Sequence, residues 1–339
     1  MGFAVRVRAP SNIALIKYMG KSDPELNIPS NPSLSLTLNS LCTWTELEQI
    51  QDGGEFRLEW NGAARMEDVE LLPFDLREKD RPKIERHFKR VFQFFGHSFS
   101  GHWRVRSGNT FPAGAGIASS ASGFSALTLA IAAALGRDRS AQAELPQLSR
   151  QGSGSSCRSF QGPWVLWQGE NATKLSTNFD SLSDIVFLIE KSEKTVGSTE
   201  AHLRVKSSPL WEKRNERVSF RIQELQGCLL MGNWSGFSQL VWEEAMDMHE
   251  LFHTSSPSFS YWTPLTREIL GWLESEGVRS GKVRAAVTLD AGPNVHLLIP
   301  QCDQRYWLDK IKARYPELEL LVDQEGPGAQ VVWHAEGLK

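Results

Sequence analysis

Residues 111–123 read Phe111-Pro112-Ala113-Gly114-Ala115-Gly116-Ile117-Ala118-Ser119-Ser120-Ala121-Ser122-Gly123, a loop of small residues between an alternating segment and an apolar one. Glycine and alanine let the backbone curl tightly enough for several N–H groups to converge on one anion. The apolar run that follows predicts a helix over 119–135, whose N-terminus supplies unsatisfied donors and a dipole suited to phosphate. Ser119 and Ser120 stand where a hydroxyl can bond phosphate oxygens or ligate magnesium. No Gly-Lys-Ser/Thr closes the loop and the third glycine of GxGxxG is missing, so neither a Walker A nor a dinucleotide turn is read here. A turn capping a buried helix has the same composition.

Upstream, alternation predicts strands over 3–9, 33–38 and 43–49, with 56–60 closing a hairpin through Asp52-Gly53-Gly54. A polar, turn-rich loop spans 10–32, and a helix over 84–95 and a strand over 102–106 lead to the small-residue loop. Downstream come a helix over 141–151, a serine-rich loop and a strand over 164–168. Strands over 184–190, 285–289 and 295–299 then alternate with helices over 211–225, 234–249 and 265–276. This mixture predicts an α+β chain of two lobes, 1–185 and 186–339, with mixed and antiparallel sheets packed by helices, not a doubly wound parallel sheet.

Net charge is −3, which points away from nucleic acid and from an anionic membrane as main partners. The basic stretch 77–90 interleaves with Ile84, Phe88, Val91 and Phe92 at helical spacing and is read as a solvated face over a buried stripe. Four scattered cysteines form no CxxC pair and read as free thiols of a reducing compartment. The start alternates as a strand rather than as a secretory signal, and the apolar run 126–135 is about half of the ~20 residues a span needs. A cytoplasmic location is expected.

Three remote segments carry further chemistry. Asn12-Ile13-Ala14-Leu15-Ile16-Lys17-Tyr18-Met19-Gly20-Lys21 places two lysines four apart beside a glycine. Ser149-Arg150-Gln151-Gly152-Ser153-Gly154-Ser155-Ser156-Cys157-Arg158 offers hydroxyls and amides for phosphate and a guanidinium fork for a carboxylate. Thr288-Leu289-Asp290-Ala291-Gly292-Pro293-Asn294 sets a carboxylate at a strand end before a turn. Each alone has a bland reading, namely a surface pair, a polar turn or a structural aspartate.

Taken together, the four segments resemble the diphosphomevalonate decarboxylase family of the GHMP kinase superfamily, in family order and across nearly the whole chain. The resemblance implies a two-lobed fold with ATP and magnesium in the cleft and mevalonate 5-diphosphate as substrate. ATP phosphorylates the tertiary 3-hydroxyl, and loss of phosphate and carbon dioxide gives isopentenyl diphosphate. It implies Asp290, Lys17 and Arg158 as the reaction core. Substrate contacts would be Tyr18, Met19, Gly20, Lys21, Ser153, Gly154, Ser155, Ser156 and Cys157, with Ser198 and Thr199 from a further loop. Nucleotide contacts would be Pro112, Ala113, Gly114, Ala115, Gly116, Ala118, Ser119, Ser120 and Ser122. A homodimer is implied by the family alone.

Met19 stands where the family usually has tryptophan, which leaves open a decarboxylase of mevalonate 5-phosphate or a mevalonate-type kinase. A family arginine falls near Lys83. His249-Glu250-Leu251-Phe252-His253 satisfies the HExxH pattern, and a zinc hydrolase using His249 and His253 is the remote alternative.

Overall fold

The computed structural model describes residues 3–113, 116–191 and 195–335. Its first sheet has eight strands and is built on two long ones, β1 (Ala4–Ile16) and β2 (Ser33–Gln51), paired antiparallel over most of their length. β1 runs through Pro10 into the segment expected as loop, and its register shifts between Pro10 and Asn12. A proline has no N–H to give a ladder, and such an irregularity is where a strand tolerates it. The two strands expected at 33–38 and 43–49 are one strand that changes partners. Its first half pairs with β5 (Trp164–Gln168), and its second half with β4 (His102–Asn109).

The expected hairpin at Asp52-Gly53-Gly54 does not form. β3 (Arg57–Gly62) instead runs parallel to β4, which lies between it and β2. The turn signal was real, since Gly53 and Gly54 both take positive φ, but it reverses the chain without pairing the flanking strands.

Three helices cover one face of this sheet: α1 (Arg81–Phe94), α2 (Ser119–Ala134) and α3 (Leu145–Gly152). α2 is apolar nearly all round and correspondingly buried, packed with Val5, Val7, Leu47 and Val105 of the sheet and with Phe88 of α1.

The second sheet is antiparallel, in the order β7 (Ala286–Thr288), β8 (Val295–Pro300), β6 (Leu182–Phe187), β9 (Leu320–Gln324). β6, β7 and β8 are buried on both faces, and the edge strand β9 is partly exposed. Leu182, Val186 and Leu298 meet Ile13, Leu15 and Leu36 of the first lobe, while Ile185, Phe187 and Leu297 meet the helices behind. Those helices are α6 (Trp234–His253), α7 (Pro264–Ser275) and α8 (Gln304–Arg314), whereas α5 (Arg214–Met231) packs into the seam with the first lobe through Val218, Ile222 and Leu225, and Ala201 of α4 (Ser198–Arg204) packs in a cluster with Met19 and Met248. The last strand, β10 (Gln330–His334), returns to pair with β1. Polar ties add to the apolar seam: Thr288 Oγ1 donates to the Ala14 carbonyl at 3.0 Å, and the Ser40 and Leu41 amides donate to Asp323 at 2.9 and 2.7 Å. The lobes therefore share one core and cannot slide freely, which fixes the cleft between them.

Phe237 sits in that shared core at 0% exposure, with ring contacts to Trp164, Phe179 and Trp234. Phe237→Ala is expected to lower the unfolding free energy by about 3–5 kcal/mol, measured by equilibrium denaturation. A loss under about 1 kcal/mol would contradict a continuous interlobe core.

Candidate active site

One cleft of about 930 Å³ opens where the two lobes meet, and segments far apart in sequence line it. Lys17 follows the end of β1, Asp290 follows β7, and Arg158 lies in the short helical turn Gly154–Ser159 after α3. Lys17 Nζ donates to Asp290 Oδ1 at 2.7 Å; the lysine is 2% exposed and the aspartate 23%. Arg158 is buried, its Nε bonded to Asn12 Oδ1 at 3.1 Å and its Nη1 to Ser33 Oγ at 2.6 Å, with the guanidinium over the Trp167 ring.

Burial pulls the Lys17 ammonium below the ordinary lysine value, against the opposing charge and hydrogen bond of Asp290. Burial works against the Asp290 carboxylate too, but Lys17, with His296 and Arg158, wins and holds it below the usual carboxylate range. The Asp290 shift keeps that carboxylate ionised near neutrality. Burial also lowers Arg158.

The second ring of cleft residues is cationic. Lys21 Nζ bonds Asn27 Oδ1 at 2.6 Å, and Lys83, Arg86 and Arg90 project from α1. Among the described residues, six cationic side chains face two carboxylates, Glu25 and Asp290, around the cleft, a balance that suits a polyanion. Burial lowers Lys83, and the neighbouring Lys21 charge adds to it. Arg90 Nη1 donates to the Gln151 carbonyl at 3.1 Å.

The helix expected at 119–135 begins at Ser119, and Gly116, Ala118, Ser119 and Ser120 line the cleft. Ala118 adopts left-handed φ +49, no side chain caps the helix, and its first turn faces the cleft. Gly116 has φ +80 and its absent Cβ would stand 3.3 Å from the Gly292 Cα of the other lobe. Glycine is needed there on both counts. These features fit a phosphate chain, and the two serines fit a hard cation held mainly by phosphate oxygens. Gly114 and Ala115 lie outside the described residues.

Tyr18, Met19, Lys21, Ser153, Gly154, Ser155, Ser198 and Thr199 all line the same cleft. The Tyr18 ring lies between Trp167 and His202, at 4.7 and 4.4 Å, and its buried hydroxyl has no protein partner. Burial raises that phenol, so it stays a donor.

Several expected contacts face elsewhere. Ser156 is buried, bonded to Ser149 and to the Ser153 carbonyl, and Cys157 turns inward to the Gly154 carbonyl with its thiol pushed up to about 12 by burial. Ser122 is buried against Thr43. Pro112, Ala113 and Gly20 do not line the cleft. The side chains of Ser122, Ser156 and Cys157 thus turn into the packed interior rather than into the cleft. Gly20 holds φ +76 against the Trp211 ring, and its amide donates to His202 Nδ1 at 2.9 Å.

Lys83, Arg86 and Arg90 were read as a solvated face. They recur at three- and four-residue spacing, the signature of one helix stripe, and that stripe faces the cleft. His202 had no signal beyond polarity. The HExxH pair does not assemble a metal site. His249 is fully buried, with both ring nitrogens unpartnered and its imidazole pushed down to about 3 by burial, while His253 bonds Ser260. Among the described residues no group of three His, Cys, Asp or Glu is placed to hold a metal ion, and no helix is long and apolar enough to cross a membrane.

With this geometry in place, comparison with known proteins decides the family. The model of a diphosphomevalonate decarboxylase-like N-terminal domain matches residues 9–178, and that of the mevalonate 5-diphosphate decarboxylase C-terminal domain matches 185–330. The chain belongs to the diphosphomevalonate decarboxylase family. Human diphosphomevalonate decarboxylase is 34% identical over 307 residues, covering 86% of this chain and 75% of the human one. Among solved structures of the family, mevalonate diphosphate decarboxylase from Legionella pneumophila is 37% identical, covers 94% of this chain and 100% of its own, and superposes with a TM-score of 0.81. A complex of MDDEF with MVAPP, AMPPCP and magnesium is 28% identical over 98% of this chain and 99% of its own, with a TM-score of 0.84. The two-lobed α+β architecture is thus that of the decarboxylase family.

A Cβ on Gly20 would stand 2.2 Å from Trp211 Cη2. Gly20→Ala is expected to lower the thermal midpoint and weaken substrate binding, because the strained φ alone costs on the order of 1 kcal/mol and the clash adds to it. A midpoint and KM equal to wild type would contradict the packing of the Lys17–Lys21 turn.

Proposed function

We propose that this enzyme uses ATP to decarboxylate mevalonate 5-diphosphate, forming isopentenyl diphosphate, ADP, phosphate and carbon dioxide. The observation that carries the reading is the 2.7 Å ion pair between Lys17 and Asp290, made across the lobes inside a cationic cleft beside an uncapped helix start. The lobes are read as 1–185 and 186–339, a boundary that falls inside β6 of the second sheet, with β10 returning to the first sheet. Family likeness supports the same activity, as does the complex of a relative with MVAPP, an ATP analogue and magnesium.

A tertiary alcohol is a poor leaving group, so it is phosphorylated before the C–C bond breaks. Asp290 accepts a hydrogen bond from the 3-hydroxyl and orients its oxygen toward the γ-phosphorus. A carboxylate held this acidic is a weak base, so it takes the proton late, as the new P–O bond forms and the bond from the γ-phosphorus to the departing ADP breaks. Lys17 then shares its charge between Asp290 and the transferred phosphoryl oxygens. Arg158, with Nε and Nη1 already engaged on Asn12 and Ser33, is rigid enough to hold the substrate carboxylate in place. In the second step the C–O bond breaks with its electrons leaving on phosphate. The electrons of the carboxyl C–C bond form the alkene as carbon dioxide departs. Lys21, Lys83, Arg86, Arg90, Tyr18, Ser153 and Ser155 grip the diphosphate tail, and Ser198 and Thr199 close the substrate side. Gly116, Ala118, Ser119 and Ser120 cradle the ATP phosphates, with Ser119 or Ser120 as a magnesium ligand. Magnesium supplies charge neutralisation on the triphosphate during transfer.

Following ADP and carbon dioxide together with mevalonate, its 5-phosphate and its 5-diphosphate tests the reading. Both products with the 5-diphosphate are expected. ADP without carbon dioxide would mean a kinase, and carbon dioxide from the monophosphate alone would mean the variant substrate that Met19 left open. Asp290→Asn should keep the fold by circular dichroism while turnover falls about 10³-fold; turnover like wild type would remove Asp290 from the reaction core. The pH profile of kcat/KM reports the free enzyme. Folding weakens the hold of Lys17 on its proton, so activity should be lost at high pH with a midpoint below the ordinary lysine value of about 10.4. The Asp290 proton is weakly held as well, so this group should cause no acid limb above about pH 4. An alkaline midpoint above about 10.4 would contradict a buried, catalytically required Lys17.

A further inference from the structure

β1 ends at Ile16, so the peptide groups of Lys17 leave the ladder in a place closed to water. Their partners come chiefly from the other lobe. The Lys17 amide donates to Glu244 Oε1 at 3.0 Å, and its carbonyl accepts from Arg214 Nη2 at 3.3 Å and from Asn31 Nδ2 at 2.9 Å. Glu244 on α6 and Arg214 on α5 are both 0% exposed and paired with each other. Arg221 Nη1 secures the second Glu244 oxygen at 2.9 Å, and Asp247 gathers Arg214, Arg217 and Arg221 beside it.

We propose that Arg214 and Glu244 are positioning residues: they grip the Lys17 peptide by its N–H and its C=O and so aim its ammonium at Asp290 and the transferred phosphoryl group. This rests on Lys17 acting in the reaction as described above.

The physics favours a functional reading over mere cross-linking. Burying an arginine and a carboxylate costs desolvation that an apolar pair of similar volume avoids, so such a pair is weak support for stability as such. Asp247 already joins α5 to α6 through three arginines and makes no contact with Lys17. Glu244 adds the one contact Asp247 lacks. Since both Lys17 partners in the second lobe belong to one rigid cluster, the backbone of the lysine and the carboxylate its side chain meets are referred to the same lobe. A lysine hung only from the first lobe would drift relative to Asp290 with any interlobe motion. The Glu244 charge also supports the protonated ammonium, against burial and Arg158.

The test uses the full chain and compares Glu244→Gln, Glu244→Asp, Asp247→Asn and Lys17→Met, reading kcat, KM, the kcat/KM pH profile and the thermal midpoint. Glu244→Gln should lose kcat on the order of 10²-fold, with KM within about 2-fold, and its alkaline limb should move to lower pH because the supporting charge is gone. Glu244→Asp keeps the charge but shortens the reach, so it should lose kcat while the alkaline limb stays. Should Glu244→Gln not fold, Glu244→Asp still decides. Asp247→Asn, which breaks the same cluster, should lower the thermal midpoint without this kcat loss. The proposal is overturned if Glu244→Gln or Glu244→Asp keeps wild-type kcat, or if Asp247→Asn loses kcat in the same proportion to its loss of stability. Lys17→Met separates the two layers. If it turns over like wild type, the role given to Lys17 falls; if it is inactive while the Glu244 variants are normal, only the positioning role falls.

Discussion

A lysine and an aspartate 273 positions apart in the chain meet across the lobes at 2.7 Å, and the chemistry depends on that meeting. Neither charge is tolerable alone in so dry a place, since an unpaired buried ion costs several kcal/mol or else loses its charge. The pair therefore demands that both lobes be folded and docked before either member is stable. The shared apolar core around Phe237, Trp164, Leu182 and Leu36 enforces the docking. Thr288 repeats the constraint two residues before Asp290 by bonding the β1 carbonyl of Ala14. Folding and the reaction core are thus one problem with one solution.

Around the pair the cleft is graded. The dry end holds Lys17, Asp290 and Arg158, where low dielectric makes each charge strong. The wetter end holds Lys21, Lys83, Arg86 and Arg90, which can neutralise a polyanionic tail without fixing it tightly. The start of α2 faces the same space with small residues, so phosphate can approach backbone donors closely. On the proposed reading, a substrate with one carboxylate, one tertiary alcohol and one diphosphate would map onto that gradient, with the reacting carbon at the dry end.

Legibility in the sequence followed the range of the physics involved. Local chemistry was readable: the α2 start at Ser119, the strand Trp164–Gln168 and the long helices of the second lobe came out within a few residues. The reaction trio and most of the expected substrate contacts lie in one cleft, because a motif set spread over the chain carries more information than any single segment. What failed was non-local. Nothing in Asp52-Gly53-Gly54 says that β4 will insert between β2 and β3, and the strand Leu320–Gln324 alternates too weakly to be read alone. The cationic stripe of α1 was visible as spacing but not as direction, since periodicity gives a face without saying what it faces. Ser156, Cys157 and Ser122 belong to the motifs for their small volume, which sequence alone does not distinguish from contact. The HExxH pattern shows the reverse error, two histidines one turn apart whose surroundings are aromatic and without further ligands.

The central claim is that Lys17 and Asp290 form a real ion pair that sets the carboxylate's acidity. Carbon-13 NMR titration of the Asp290 carboxyl, in the intact enzyme and in Lys17→Met, reads it directly. The account predicts a pKa below the ordinary aspartate value of about 3.9 in the intact enzyme, and a higher one once the ammonium is gone and burial is opposed only by His296 and Arg158. The same pKa in both proteins would contradict it.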